Sequence, residues 1–66
     1  MRLLLNGDER EIAEVSNVAD LVSALGLDAR KVAVERNLEI VPRSTYAGTA
    51  LADDDRIEIV TFIGGG

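Results

Sequence analysis

Short apolar runs separated by turn-forming residues set the rhythm of this chain, and their period shifts once from that of a strand to that of a helix. Arg2 to Leu5 is apolar and short, and Asn6-Gly7 follows, the pair that best tolerates the positive φ angles of a two-residue hairpin. Glu9 to Val15 alternates imperfectly, with Ile12 as its inward residue, so the chain is expected to open with a hairpin. Val18, Leu21, Val22 and Leu25 then fall at i, i+3, i+4 and i+7, one face of a helix. Ser16 or Asn17 can cap its first turn, Asp20 suits the positive end of its dipole, and Gly26 supplies a stop. The spacing predicts a helix over 17–25. Lys31 to Arg36 returns to alternation with Val32 and Val34 on one side, Asn37 breaks it, and Glu39-Ile40-Val41 resumes it. Pro42 ends that pairing because it has no N–H to donate. Ser44 to Leu51 is mixed, an irregular stretch with room for one 3₁₀ turn, and Asp53-Asp54-Asp55 is expected as a solvated turn. Ile57 to Ile63 makes the last strand, for an order of β-β-α-β-β-β.

One helix covers one face of a five-stranded sheet, so the other face meets solvent or a partner. In the last strand Ile57, Ile59, Thr61 and Ile63 share one side, and Glu58, Val60 and Phe62 share the other. The isoleucines suit the helix-facing core. By the same logic Leu3 and Leu5 point in, while Arg2, Leu4 and Asn6 point out. If the first and last strands are neighbours, Leu4, Val60 and Phe62 form one exposed apolar patch, the usual mark of a protein interface. Tyr46 is expected to cover one end of the core, Asn37 to serve as a turn residue, and Glu35, Arg36 and Arg43 to be solvated charges beside strands; partner contact by Tyr46 and salt bridges to a partner from the three charges are the alternatives.

Composition narrows the function. Sixty-six residues make one domain with a modest core. The chain has no cysteine and no histidine, which removes disulfides, the usual zinc ligands, the usual general base and both Ser/His and Cys/His nucleophile pairs. Catalysis by the chain alone is not expected. Twelve acidic residues against seven basic ones, for a net charge of -5, with one Tyr and one Phe, argue against nucleic-acid binding. The aspartate run does not have the spacing of a calcium loop. No apolar stretch approaches the roughly 20 residues that span a bilayer, and the N-terminus lacks the apolar core and cleavage site of a signal peptide. A cytoplasmic location is expected.

The last three residues are all glycine, Gly64-Gly65-Gly66, directly after the last strand. Glycine has no Cβ, so such a tail can thread a narrow channel. The terminal carboxylate is then a candidate reactive group on a thin stalk. A carboxylate is a poor electrophile, and chemistry there requires activation, as an acyl-adenylate made from ATP by a partner. A frayed tail is the structural alternative. The expected organisation is a folded domain over 1–63 and a flexible tail over 64–66.

Taken together, Leu5-Asn6-Gly7, Val34-Glu35-Arg36-Asn37, Glu39-Ile40-Val41-Pro42-Arg43 and the ending Asp55-Arg56-Ile57-Glu58-Ile59-Val60-Thr61-Phe62-Ile63-Gly64-Gly65-Gly66 resemble the thiamin-biosynthesis sulfur carrier (ThiS) family over the whole chain. The resemblance implies an α+β fold, the ubiquitin-like β-grasp, with a mixed sheet packed on one helix. It implies a carrier rather than an enzyme, with no cofactor bound to the chain itself. A ThiF-like adenylating partner, using ATP and magnesium, would activate Gly66. Sulfur drawn from cysteine through a desulfurase would replace AMP to give a thiocarboxylate, and a ThiG-like thiazole synthase would consume it. Gly64 and Gly65 would form the stalk, and Leu4, Val60 and Phe62 would dock the partners. The absence of cysteine agrees, since the chain cannot trap its activated end as an internal thioester, and Lys31 is the only lysine. The third glycine departs from carriers that end in two and lengthens the stalk. Other readings are a β-grasp sulfur carrier for molybdopterin synthase or tRNA thiolation, a protein modifier joined to target lysines, and a non-covalent β-grasp module whose tail is dispensable.

Overall fold

The opening hairpin forms where the Asn-Gly pair predicts it. In the computed structural model, which describes residues 1–62, β1 (Arg2–Leu5) runs antiparallel to β2 (Asp8–Glu11), with Leu5 opposite Asp8. Asn6 and Gly7 between them have φ of 49° and 86°, the two positive angles of a type I′ turn. β2 is shorter than the alternation suggested. The chain turns at Glu14 (φ 62°), and Val15 leaves the sheet for the core.

Helix α1 (Val18–Ala24) is closed at both ends by its own sequence. Asn17 is the cap: its Oδ1 accepts the Asp20 N–H at 2.8 Å. Asp20 in return accepts from the Ser16 N–H at 3.0 Å and the Ser16 hydroxyl at 2.9 Å, which satisfies the chain as it enters the helix. Gly26 takes φ 73°, its N–H reaches the Ser23 carbonyl, and the Leu27 N–H reaches that of Val22. Those two bonds are the Schellman motif, and a side chain at Gly26 would be strained at that φ.

β3 (Val32–Arg36) starts one residue later than expected, because Ala29–Lys31 forms a 3₁₀ turn. Asp28 caps that turn and pairs with the Arg30 guanidinium at 3.0 Å. β3 connects to β4 (Glu39–Val41) through Asn37 and Leu38, both at positive φ (51° and 72°), a second tight hairpin. A leucine occupies a position where glycine would be unstrained. The stretch after Pro42 is more regular than expected: Arg43–Gly48 is a six-residue 3₁₀ helix beside α1. Its Tyr46 is buried, as expected, and its hydroxyl donates to the Val32 carbonyl at 3.4 Å.

β5 (Arg56–Thr61) completes a five-stranded sheet in the order β2-β1-β5-β3-β4. β5 is parallel to β1 and antiparallel to β3, so the sheet is mixed and β5 occupies its centre. Leu3, Leu5, Val32, Val34, Val41, Ile57 and Ile59 face α1 and pack on Val18, Leu21 and Val22. Leu3, Leu21 and Ile57 are completely buried, each worth about 1.5–3 kcal/mol of transfer free energy. The predicted inward face is therefore correct up to Ile59. Thr61, expected inward, is exposed, so the covered layer ends one inward position earlier.

Candidate functional site

The strand that leads to the glycines is gripped on both edges by turn asparagines. Asn6 follows β1, and its side chain prolongs the ladder where β1 has ended. Its Oδ1 accepts the Ile59 N–H at 2.8 Å, and its Nδ2 donates to the Ile59 carbonyl at 3.2 Å. Asn37 follows β3 and holds the other end of β5 with one bond from its side chain and one from its backbone. Its Oδ1 accepts the Arg56 N–H at 2.9 Å, while its own N–H donates to the Arg56 carbonyl at 2.7 Å. An asparagine amide carries the same donor and acceptor as a peptide unit, and asparagine tolerates the positive φ that both positions need. The expectation that Asn37 is a turn residue holds, but the grip of both residues on β5 depends on the strand order, which sequence spacing does not contain.

This grip has a measurable weight. Asn6→Ala removes two hydrogen bonds to Ile59 and leaves alanine at positive φ, and is expected to cost about 2 kcal/mol. Asn6→Gly loses the bonds without the strain, and is expected to cost about half as much. Denaturant titration of the two variants checks the order, and faster amide exchange at Ile59 checks the cause.

Asp55 corrects the reading of the aspartate run. Asp53 and Asp54 are exposed, and both are tied to Arg2, through its N–H at 2.9 Å and its guanidinium at 2.8 Å. Asp55 is only 7% exposed. Its Oδ2 accepts from Arg36 Nε at 2.7 Å and the Ala52 N–H at 2.9 Å, and its Oδ1 accepts from Asn37 Nδ2 at 3.0 Å. Burial opposes its charged form, but the hydrogen bonds from Asn37, the Ala52 N–H and Arg36 outweigh that, and its pKa lies below the ordinary carboxylate value. Arg36 is thus half-buried and paired rather than a solvated charge. The network fixes the residue immediately before β5.

The three expected docking residues separate. Val60 and Phe62 are exposed, at 60% and 53%, near the end of β5. Leu4 is half-buried and in register with Arg56, four residues before Val60, or about 13 Å along the strand. It lines a small hollow with Arg2, Leu3, Glu9 and Asp54. Leu4 and Val60 do share the face turned away from α1, but parallel register puts them at opposite ends of it. Val60 instead gathers Ala33, directly opposite on β3, and Ile40 of β4, which is 77% exposed. Ile40 was discoverable from the alternation Glu39-Ile40-Val41, in which the buried Val41 sends Ile40 outward. Ile63, Gly64, Gly65 and Gly66 lie outside the described residues, and so does the expected boundary between domain and tail. Among the described residues no helix is long and apolar enough to cross a membrane, and no group of His, Cys, Asp or Glu is placed to hold a metal ion.

The ThiS family model matches residues 3–66. The chain belongs to the ThiS family. It is 42% identical over 65 residues to the sulfur carrier protein ThiS of Bacillus subtilis, covering 97% of this chain and 98% of that protein. It is also 58% identical over 66 residues to a thiazole synthase of Paramagnetospirillum magneticum, covering all of this chain and 20% of that protein. A thiazole synthase of Magnetococcus marinus is matched in the same way, at 44% identity. The ThiS-family chain thus spans about a fifth of the length of these two thiazole synthases. Its structure superposes on the crystal structure of the thiamine biosynthesis protein (ThiS) of Geobacter metallireducens with a TM-score of 0.83 at 36% identity, over the whole of both chains. The fold is the ubiquitin-like β-grasp.

Proposed function

We propose that this ThiS-family chain is a sulfur carrier for thiazole formation in thiamin biosynthesis, and that the carboxylate of Gly66 is the group that is charged. The observation that carries the reading is the family match, which runs through the glycines to residue 66. In the proposed cycle a Gly66 carboxylate oxygen attacks the α-phosphorus of ATP on a ThiF-like adenylating enzyme, with magnesium held by that enzyme, and pyrophosphate leaves. A persulfide formed from cysteine on a desulfurase then attacks the acyl carbon and expels AMP. A thiol cleaves the resulting acyl disulfide and carries away the oxidising equivalents as a disulfide, and a thiazole synthase consumes the thiocarboxylate. The cycle runs in the cytoplasm.

The chain's own part is presentation. A β5 held on both edges gives the tail a fixed point of departure, and Val60 and Phe62 offer apolar contact beside it. The carrier supplies no catalytic group: it has no histidine or cysteine, so acid–base work and sulfur handling fall to the partners. Pyrophosphate release tests the first step. With an adenylating enzyme of this type and ATP, release is expected to depend on the concentration of this chain. Release that is the same with and without the chain would contradict the reading.

A further inference from the structure

On the face turned away from α1, Glu35 of β3 lies directly opposite Glu58 of β5. Side chains so paired on antiparallel strands have Cβ atoms about 5 Å apart, and like charges there are destabilising. Both glutamates are half-buried. Arg56 approaches Glu58 at 3.8 Å, at the limit of an ion pair, and Glu35 has no ion pair among the described residues. Apolar surface surrounds the two acids. Ile40 is opposite Glu35 on its other side, and Ala33 and Val60 form the next cross-strand pair toward the tail. These side chains line one hollow of about 190 Å³.

The fold therefore sets two glutamates directly opposite each other on β3 and β5 and leaves the isoleucine and valine beside them in water. Both defects are removed by a single kind of group, a cation on an apolar stem. Arginine meets the requirement best: its planar fork can donate to two carboxylates at once, while its methylenes cover apolar side chains. We propose that this hollow receives an arginine side chain of the thiazole synthase, with the guanidinium between Glu35 and Glu58 and the stem against Ile40 and Val60. The inference rests on the carrier reading. The synthase is favoured over the adenylating enzyme because two relatives contain the counterpart of this whole chain within a protein named thiazole synthase. A surface built to meet that enzyme belongs to the unit itself.

The test separates binding from folding. Glu35→Gln, Glu58→Gln and the double variant keep side-chain size and remove charge. If the pair serves only the fold, neutralising it relieves repulsion and changes nothing else. The proposal instead expects opposite signs: a thermal midpoint equal to or above that of the original chain, and affinity for the thiazole synthase weakened about tenfold in the double variant. Calorimetric titration at two salt concentrations should also show a flatter salt dependence for that variant. Equal affinity and equal salt dependence would overturn the proposal, as would a loss of affinity confined to the adenylating enzyme. Failure of the original chain to take up sulfur, measured first by intact mass, would overturn the carrier reading instead, and is distinguishable because it involves no variant.

Discussion

A chain lacking Gly65 and Gly66 is expected to release no pyrophosphate with the adenylating enzyme while melting within about 2 °C of the full-length chain. The two halves of that result have separate causes. The deletion moves the carboxylate to Gly64, about 7 Å short of its former reach along an extended chain. Reactions that depend on positioning lose about a hundredfold for misplacements as small as 1 Å, so a shift of this size removes the reaction altogether. The fold should be indifferent, because among the described residues the core ends at Ile59 and the grip of Asn6 on β5 also ends there. A thermal scan beside the release assay reads both quantities on one sample. Undiminished release from the shortened chain would mean that Gly66 is not the charged residue.

The second large effect is on stability. Asp55→Ala is expected to destabilise the fold by about 3 kcal/mol, because it leaves the half-buried Arg36 without its partner and strands donors on Asn37 and Ala52. In a domain of this size that is a large share of the total. Asp55→Asn is expected to recover only part of the loss: all three partners are donors, and an amide offers one acceptor oxygen where the carboxylate offers two. The pH dependence has a definite sign. The pKa of Asp55 is lower in the folded chain than in the unfolded one, so the unfolded state takes up its proton first as the solution is acidified. The stabilisation is therefore complete above the ordinary carboxylate value of about 4 and disappears as pH falls through the lower folded value. Denaturant titrations across pH 2 to 7 should show that loss in the original chain, on top of what other carboxylates contribute, and a shallower loss in Asp55→Asn. Identical acid profiles for the two would contradict the role given to Asp55.

Much of this fold is legible in local patterns of the sequence. The Asn6-Gly7 turn, the Val18-Leu21-Val22 stripe and its Gly26 stop each depend on neighbours in sequence, and each is found where expected. The alternation in β5 likewise assigns Ile57 and Ile59 to the core and Val60 and Phe62 to the surface. What escapes such patterns depends on register between distant strands. Leu4 is correctly placed on the open face, but only the pairing of Leu4 with Arg56 shows that it lies far from Val60. Asp55 looks like its two exposed neighbours until Arg36 and Asn37, 19 and 18 residues earlier, are brought against it. The opposition of Glu35 to Glu58 is a fact of register alone. Tertiary context also hides the 3₁₀ helix at Arg43–Gly48, whose composition carries no clear period and whose place is set by burial of Tyr46. The expected partners came from the family resemblance alone, since no periodicity could supply them.

Intact-mass measurement of the 66-residue chain tests the central claim most directly, after incubation with ATP, magnesium, the adenylating enzyme and a desulfurase supplied with cysteine. The account predicts a gain equal to one oxygen replaced by one sulfur, located by fragmentation on Gly66 and absent from the chain without Gly65 and Gly66. An unchanged mass, from an adenylating enzyme that charges another ThiS carrier in the same mixture, would contradict it.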